Sequence, residues 1–324
     1  MESRHERLPA LGRLGLGTSQ FGNLGRETTE QEVSNAFTAA REHGIRYFDT
    51  APHYGLGLSE RRLGEHLRTI ERHDFVVSTK VGRLLVDNPN GRGTLDPEGF
   101  FVPAKYRRIW DFSASGVERS LESSLARLNL DYIDIVYLHD PDDHWEQAAS
   151  DGVPALVRLR DAGVIGAIGV GMNQSAMLSE FVRRCDIDVV MCAGQYTLLN
   201  QQAATDLLPI AQERGVSVVI AGVYNSGLLS TNYPHEGTYN YAPAPADLIA
   251  RAQRIARICA DHGVNLPAAA IAWPLRHPAV STVVVGCRTG SHVDDAVRRL
   301  NTDVPEALWT DLSCEGLVDL PTTT

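Results

Sequence analysis

No apolar run in the sequence approaches the roughly 18 residues that a membrane-spanning helix needs, so no bilayer span is expected. Positive charge is also short. Lys and Arg number 30 against 40 Asp and Glu, a formal net charge of −10, whereas gripping nucleic acid requires a basic face for the phosphates. Cysteine is sparse: the five (Cys185, Cys192, Cys259, Cys287, Cys314) are odd in number and include no Cys-x-x-Cys pair. That disfavours a disulfide framework and a structural zinc, and points to reduced thiols. Most should be small core residues, with Cys287 the exception because it lies in a loop read below as cofactor-binding. The N-terminal Met1-Glu2-Ser3-Arg4-His5-Glu6-Arg7 is charged where a secretory signal carries its apolar segment, which makes the cytoplasm the expected compartment. Low-complexity segments are missing. So is a dinucleotide fingerprint: Gly12, Gly15, Gly17 and Gly22 crowd the start of the chain without G-x-G-x-x-G register and without a helix directly behind them.

What is present is a repeated alternation. At 324 residues and 43% hydrophobic content the chain can bury a large core, and α/β barrels reach this size as one unit. Residues 13–18 read as a first strand. Thr28-Thr29-Glu30 opens a helix whose Val33, Ala36, Phe37 and Ala40 share a face and which Gly44 stops. Tyr47-Phe48 begins a second strand, Ser59 caps a helix to Leu67, and 75–80 is a third strand. An insertion follows over 83–111, rich in Gly, Pro, Asn and aromatics, and is expected to be a lid or binding loop. A helix from Ser113 to Leu128 leads to a strand at 132–138, apolar enough to be buried on both faces. Strands at 164–170, 188–193, 216–221 and 282–285 then alternate with helices at 153–162, 175–184, 201–214, 246–262, 267–276 and 291–300. Eight strand-then-helix units imply a (β/α)8 TIM barrel with long loops over the C-terminal face, residues 1–324 forming one domain. A doubly wound open sheet is the competing architecture, and it too would place ligands at strand C-termini.

Four residues stand at or just beyond the ends of successive strands: Asp49, Tyr54, Lys80 and His139. Neighbouring barrel strands are neighbours in space, so these side chains can converge on one rim. A lysine ammonium beside Tyr54 would favour phenolate, Asp49 would keep that lysine charged, and His139 could orient a substrate oxygen. Such a set moves a proton on or off an oxygen while hydride moves at carbon, and a nicotinamide must carry the hydride. Singly, each residue has a plainer reading as a turn tyrosine, a rim salt bridge or a core histidine. His139-Asp140-Pro141-Asp142-Asp143-His144 reads as an acidic loop, so no metal is expected, and Arg61-Arg62 reads as a solvated helix face.

Phe48-Asp49-Thr50-Ala51-Pro52-His53-Tyr54-Gly55, Ser78-Thr79-Lys80-Val81-Gly82 and Asp134-Ile135-Val136-Tyr137-Leu138-His139-Asp140 resemble the motifs of the aldo-keto reductases, in order, within a likeness running from Leu14 to Leu300. The resemblance implies the barrel fold, a catalytic tetrad of Asp49, Tyr54, Lys80 and His139 with Tyr54 as acid/base, and NAD or NADP lying across the barrel mouth. Trp110-Asp111-Phe112-Ser113 and the stretch from His139 to Asp143 look like the branch that contains L-fucose and D-threo-aldose 1-dehydrogenases and a pyridoxal 4-dehydrogenase. By the same resemblance Gln195 matches the residue that holds the nicotinamide carboxamide, and Asn173 stands in for a Ser-Asn pair. Tyr224 stands in for a stacking tyrosine absent at Ala221, and Ser226 and Leu228 match the pyrophosphate loop. Gly286, Arg288, His292 and Asp295 match the adenosine-phosphate end, a helix N-terminus. Gly17, Thr18 and Asp49 join them at the cofactor. Few cations stand where a 2′-phosphate would lie, which favours NAD.

The loops over the site are rich in aromatics: Phe101, Tyr106, Trp110, Trp145, Tyr224, Tyr233, Tyr239 and Tyr241. Such rings stack on sugar C–H faces or flat heterocycles, and Tyr54, His139, Trp110 and Trp145 are the expected substrate contacts. The expected reaction is NAD(P)-dependent oxidation of an aldose at C1 to the lactone, by a monomer or small homo-oligomer acting on a small carbonyl or hemiacetal substrate. Oxidation of pyridoxal and general carbonyl reduction are the alternatives within the class. A regulatory nucleotide-binding subunit resembling potassium-channel β-subunits is the alternative from a different class, and a metal-dependent barrel hydrolase the last.

Overall fold

The computed structural model describes residues 7–239 and 242–320. Eight short strands form the wall: β1 (Leu14–Gly17), β2 (Tyr47–Asp49), β3 (Val76–Val81), β4 (Ile133–His139), β5 (Ile165–Met172), β6 (Val189–Ala193), β7 (Ser217–Ala221) and β8 (Val280–Gly286). Each runs parallel to its chain neighbours, and β8 returns to β1 with Leu14 opposite Val283 and Gly17 opposite Gly286. Closure settles the architecture as the expected barrel and removes the open sheet.

Side chains alternate between lumen and helix layer. Inside, Tyr47, Val76, Ile135, Tyr137, Val189 and Met191 pack into one cluster, with Leu11 closing the N-terminal end. Tyr47 fits because β1 is Leu-Gly-Leu-Gly: a Cβ on Gly15 would lie 2.5 Å from its ring. Outside, Leu16, Phe48, Val77, Val136 and Ile168 meet the helices in a second, larger cluster. Burying one such side chain stabilises the fold by about 1.5–3 kcal/mol.

Helices α1 (Glu30–Glu42), α2 (Leu58–Leu67), α3 (Ala114–Leu128), α4 (Val153–Asp161), α5 (Ser175–Arg184), α6 (Leu207–Arg214), α7 (Ala246–Asp261), α8 (Leu266–Ala272), α9 (Gly290–Leu300) and α10 (Glu306–Cys314) follow the strands. Thr29 and Glu32 form the reciprocal capping pair of α1 as its sequence predicts. Ser59 is not the cap of α2. Gly57 takes that place, and Ser59 is buried inside the first turn. The expected helix 201–214 is instead a single turn at Gln202–Ala204 followed by α6, capped by Asp206. Helix α10 lies beyond the expected pattern and seats Trp309 against Trp273, ring centroids 5.5 Å apart. The 83–111 insertion is more ordered than a loop. Arg83–Asp87 and Tyr106–Trp110 pair as an antiparallel ribbon standing on the C-terminal rim. No helix among the described residues is long and apolar enough to cross a membrane.

Candidate active site

Strand β2 ends on Asp49, opposite Ser78 of β3. Lys80 lies two residues further along β3, on the same face one layer nearer the rim. Its ammonium donates to both Asp49 oxygens at 2.9 and 2.7 Å, to the Thr50 carbonyl at 3.0 Å and to the Tyr54 hydroxyl at 3.1 Å. The expected lysine–tyrosine contact is therefore made directly. Lys80 and Asp49 are almost wholly buried, at 2% and 3% exposure. His139, the last residue of β4, sets its ring edge-on to that of Tyr54, centroids 6.0 Å apart. The four residues do meet.

One electrostatic expectation is overturned. Burial pushes the Tyr54 phenol up, to about 12, while the Lys80 ammonium pulls it down and Asp49 adds to the rise. The lysine acts in the expected direction but does not outweigh desolvation. Lys80 itself is pulled down by burial, yet Asp49 and Tyr54 more than compensate and hold it above the ordinary lysine range. His139 is held well below the imidazole range by burial and by Arg83 and Lys80, so it is neutral. His53 is driven down to about 2 by burial, Arg83, Arg108 and Lys80. The site thus holds a phenol, an ammonium, a carboxylate and neutral imidazoles.

The loop that carries Tyr54 is clamped on two sides. Gly22 and Gly55 touch backbone to backbone: a Cβ on Gly22 would lie 2.6 Å from the Tyr54 carbonyl carbon, and Gly55 has φ +63. Beneath, Thr18 Oγ1 lies 2.8 Å from Ser59 Oγ and Thr50 Oγ1 2.9 Å from it, and Thr18 donates to the Asp49 carbonyl at 2.8 Å. Thr18 is wholly buried by these contacts, which corrects its expected place at a cofactor. Arg62 is no solvated residue either. It is buried, donating to Phe21 O, Asn23 Oδ1 and Thr28 O at 2.7, 2.8 and 2.9 Å, and so pins the loop after β1 while Arg61 faces solvent.

Most of the residues expected to hold a nicotinamide dinucleotide lie along the rim from β6 to β8. Gln195 lies just past β6, with its Oε1 taking a bond from Asn200 at 3.1 Å. Asn225, buried in the loop after β7, has neither amide atom paired among the described residues, and that polar group is suited to a ligand. Ser226 is exposed beside it, whereas Leu228 turns its side chain into the core. Gly286 ends β8 against Gly17, with the Gln20 amide where its Cβ would stand, 2.8 Å away. Beyond it begins α9, capped by Thr289, with His292 exposed. Other expected contacts are already engaged. The Tyr224 hydroxyl accepts from Arg299 at 3.1 Å. Asp295 pairs with Arg298 at 2.5 Å. Arg288 donates to the carbonyls of Leu24 and Arg26 and to the Thr28 hydroxyl. Cys287 is buried, its thiol pushed up to about 12 by burial, like core Cys192 and Cys259, so it is no exception among the cysteines.

Next to the tetrad opens a cleft of about 410 Å³ whose lining includes Arg83, Trp110, Asp140, Asp142 and Asn173. Asn173, expected at the cofactor, lines this cleft too. Trp110, on the lining of the cleft, is 46% exposed and lies over the Arg83 guanidinium at 4.5 Å. Trp145 does not join it: its ring packs on Phe181 of α5 at 4.3 Å and beside Arg184, because the segment after β4 turns down the outside of the barrel. Tyr233 projects into solvent at 82% exposure. Tyr241 lies outside the described residues. Sequence reasoning missed Phe100, which packs against His53 and Tyr54, as well as Arg83, Asp140 and Asn225. Asp140 directly follows one tetrad strand and Arg83 lies two residues beyond another, so both could have been found as charged residues at strand ends. A second cleft of about 440 Å³, lined by Phe37, Arg41 and His66, lies in the helix layer outside the barrel.

The sequence model of the Aldo/keto reductase family matches residues 13–312. A D-threo-aldose 1-dehydrogenase from a Pseudomonas species is 45% identical, covering 96% of each chain. A pyridoxal 4-dehydrogenase from Microbacterium luteolum is 38% identical, covering 94% of each. Among solved structures, the aldo-keto reductase AKR11C1 from Bacillus halodurans in its holo form superposes with a TM-score of 0.74 at 26% identity, covering 95% of this chain and 92% of that one.

Proposed function

The chain belongs to the aldo/keto reductase family and is a nicotinamide-dependent oxidoreductase; within that class, we propose that it oxidises an aldose at C1 to the lactone, with NAD as the preferred acceptor. The observation that carries the reading is the direct Lys80–Tyr54 hydrogen bond of 3.1 Å above the buried Asp49. The bound nicotinamide supplies the hydride acceptor. Tyr54, as phenolate, takes the proton from the anomeric hydroxyl while C1 gives up its hydride, and the C1–O bond becomes the lactone carbonyl. Lys80 stabilises the phenolate, since its ammonium is held charged by Asp49. His139, neutral, donates a hydrogen bond to the reacting oxygen without competing for its proton. Trp110 lies along the C–H face of the ring.

Support for NAD comes from charge placement. Arg288 is drawn to the carbonyls of residues 24 and 26, and acidic Asp294 and Asp295 follow on α9. Few cations then remain for a 2′-phosphate. The similarity to a pyridoxal 4-dehydrogenase supports a second reading, oxidation of the cyclic hemiacetal of pyridoxal. The deciding experiment follows absorbance of reduced nicotinamide with NAD and NADP against L-fucose, D-arabinose, galactose and pyridoxal, using Tyr54→Phe as control. Turnover of a sugar with NAD and its loss in the variant are expected. A higher kcat/KM with NADP would end the cofactor assignment, and full activity in Tyr54→Phe would end the role of Tyr54.

A further inference from the structure

Where the ribbon meets the end of β4, a second group of polar side chains faces the cleft. Arg83 stands three residues past Lys80, and Asp140 directly follows His139. The Arg83 guanidinium donates to Asp140 Oδ2, lies 3.3 Å from His53 Nδ1 and stacks on Trp110. Its Nε is buried and has no partner among the described residues. Asp140 holds a left-handed backbone, φ +44, with its N–H on the Gly171 carbonyl at 2.9 Å, and this aims the carboxylate inward. Its Oδ2 is 3.6 Å from His139 Nε2. The pair is not sealed: the side chains are 14% and 29% exposed and line the 410 Å³ cleft.

We propose that Arg83 and Asp140 recognise the hydroxyl on the carbon next to the reacting carbon, so that the substrate class is a 2-hydroxy aldehyde or its cyclic hemiacetal. The inference rests on the reading of His139 as the residue that orients the reacting oxygen. Oxygens on adjacent carbons of a gauche diol sit at about hydrogen-bonding separation, and His139 Nε2 and Asp140 Oδ2, 3.6 Å apart, present two anchors on that scale. A hydroxyl both donates and accepts. Asp140 takes its proton and Arg83 supplies the donor, so both valences are met by charged partners. Pyridoxal carries a flat aromatic ring with no hydroxyl-bearing saturated carbon beside the reacting one, and would leave the pair without a ligand. If Arg83–Asp140 merely clamped the ribbon to β4, its loss would weaken every substrate alike.

The test compares kcat/KM for D-arabinose and 2-deoxy-D-ribose, which differ here only in the C2 hydroxyl, in the full chain with NAD and with NADP. In the unaltered protein the hydroxyl should favour D-arabinose by about 10- to 100-fold, as expected for hydrogen bonds to charged groups. Asp140→Asn and Arg83→Gln should each bring that ratio toward one, whatever their general loss of rate. A ratio near one in the unaltered protein, or one unmoved by both substitutions, overturns the assignment. Turnover of pyridoxal but of neither pentose overturns it while leaving the Tyr54 chemistry standing. Inertness toward all three overturns both. If one variant fails to fold, the unaltered ratio and the other variant decide.

Discussion

Replacing Lys80 by Met removes one charge from a place where water cannot compensate. The Lys80 and Asp49 side chains are 2% and 5% exposed, and the ammonium makes four hydrogen bonds. Without it, the Ser78 hydroxyl, at 2.7 Å, is the donor left to the Asp49 carboxylate among the described residues. Leaving a buried charge unpaired in this way costs about 3–5 kcal/mol. At roughly 2 °C per kcal/mol for a chain of this size, the melting temperature should fall by about 6–10 °C. Catalysis should fall as well, since a charged hydrogen bond to Tyr54 is worth about 1.5–3 kcal/mol, or roughly 10- to 150-fold in kcat/KM. The decisive comparison is the double variant Lys80→Met/Asp49→Asn. It removes the charge left unpaired, so it should regain more than half of the lost stability while staying as inactive as the single variant. Thermal melts by circular dichroism and initial rates with a saturating cofactor read out both quantities. If Lys80→Met melts within a degree of the unaltered protein, or the double variant is the less stable of the two, the assignment of a paired, desolvated charge under Tyr54 is wrong.

Gly22→Ala should act on the same tyrosine from the other side. Its Cβ would lie 2.6–2.7 Å from backbone atoms of Tyr54 and Gly55, which cannot yield as a flexible side chain would. A displacement approaching 1 Å should lower kcat about 100-fold with little change in cofactor affinity, read by quenching of protein fluorescence; a loss under twofold contradicts the clamp. The pH profile should be one-sided. With the Tyr54 phenol pushed up to about 12, the phenolate fraction grows tenfold per unit below that value. Oxidative kcat/KM should therefore climb with a slope near one between about pH 6 and 9, while reduction, which uses the phenol as acid, stays flat. His53 and His139 are both held below the ordinary imidazole range, so a histidine-like inflection near about 6.5 in either direction would count against the assigned protonation states.

The barrel is legible in the sequence because parallel strands buried on both faces read as unbroken apolar runs, and the helices between them keep a 3.6-residue rhythm. The tetrad is legible for a related reason. Asp49 and His139 are polar residues closing their strands, Lys80 is a charged residue one short of the end of the strand between them, and the closed barrel leaves them one rim to share. What does not show is anything decided by partners distant in the chain. Arg61 and Arg62 are the same residue type side by side, yet the carbonyls that bury Arg62 come from residues 21 and 28, and no local pattern announces them. The ribbon in the insertion has the composition of a loop, and its pairing of Arg83 with Trp110 spans 27 positions of chain. Arg288 is read as a phosphate ligand from its position in a motif, whereas its guanidinium is drawn to carbonyls more than 250 residues away. The Tyr54 shift fails differently. Spacing tells that an ammonium is near, but not that burial outweighs it.

The lumen explains why that balance is stable. Below Lys80, hydroxyl follows hydroxyl: Tyr137 and Tyr47 lie 3.3 Å apart, Tyr47 and Ser78 3.0 Å, and Ser78 donates to Asp49 Oδ1 at 2.7 Å. Since Ser78 gives its proton to Asp49, it must accept from Tyr47, which in turn accepts from Tyr137, so the ladder has one direction. Both phenols are wholly buried, and desolvation raises both, so both stay protonated, while the carboxylate that takes the Ser78 proton sets the direction. The Asp49 carboxylate is thus fixed from below by a hydroxyl chain and from above by an ammonium, a net neutral pair in a low-dielectric wall. A proton can then shift at Tyr54 with no rearrangement of the charges beneath it. That rigidity depends on Tyr47 reaching across the lumen, and Tyr47 reaches because position 15 of the neighbouring strand is glycine. The composition of the first strand therefore bears on the chemistry two strands away.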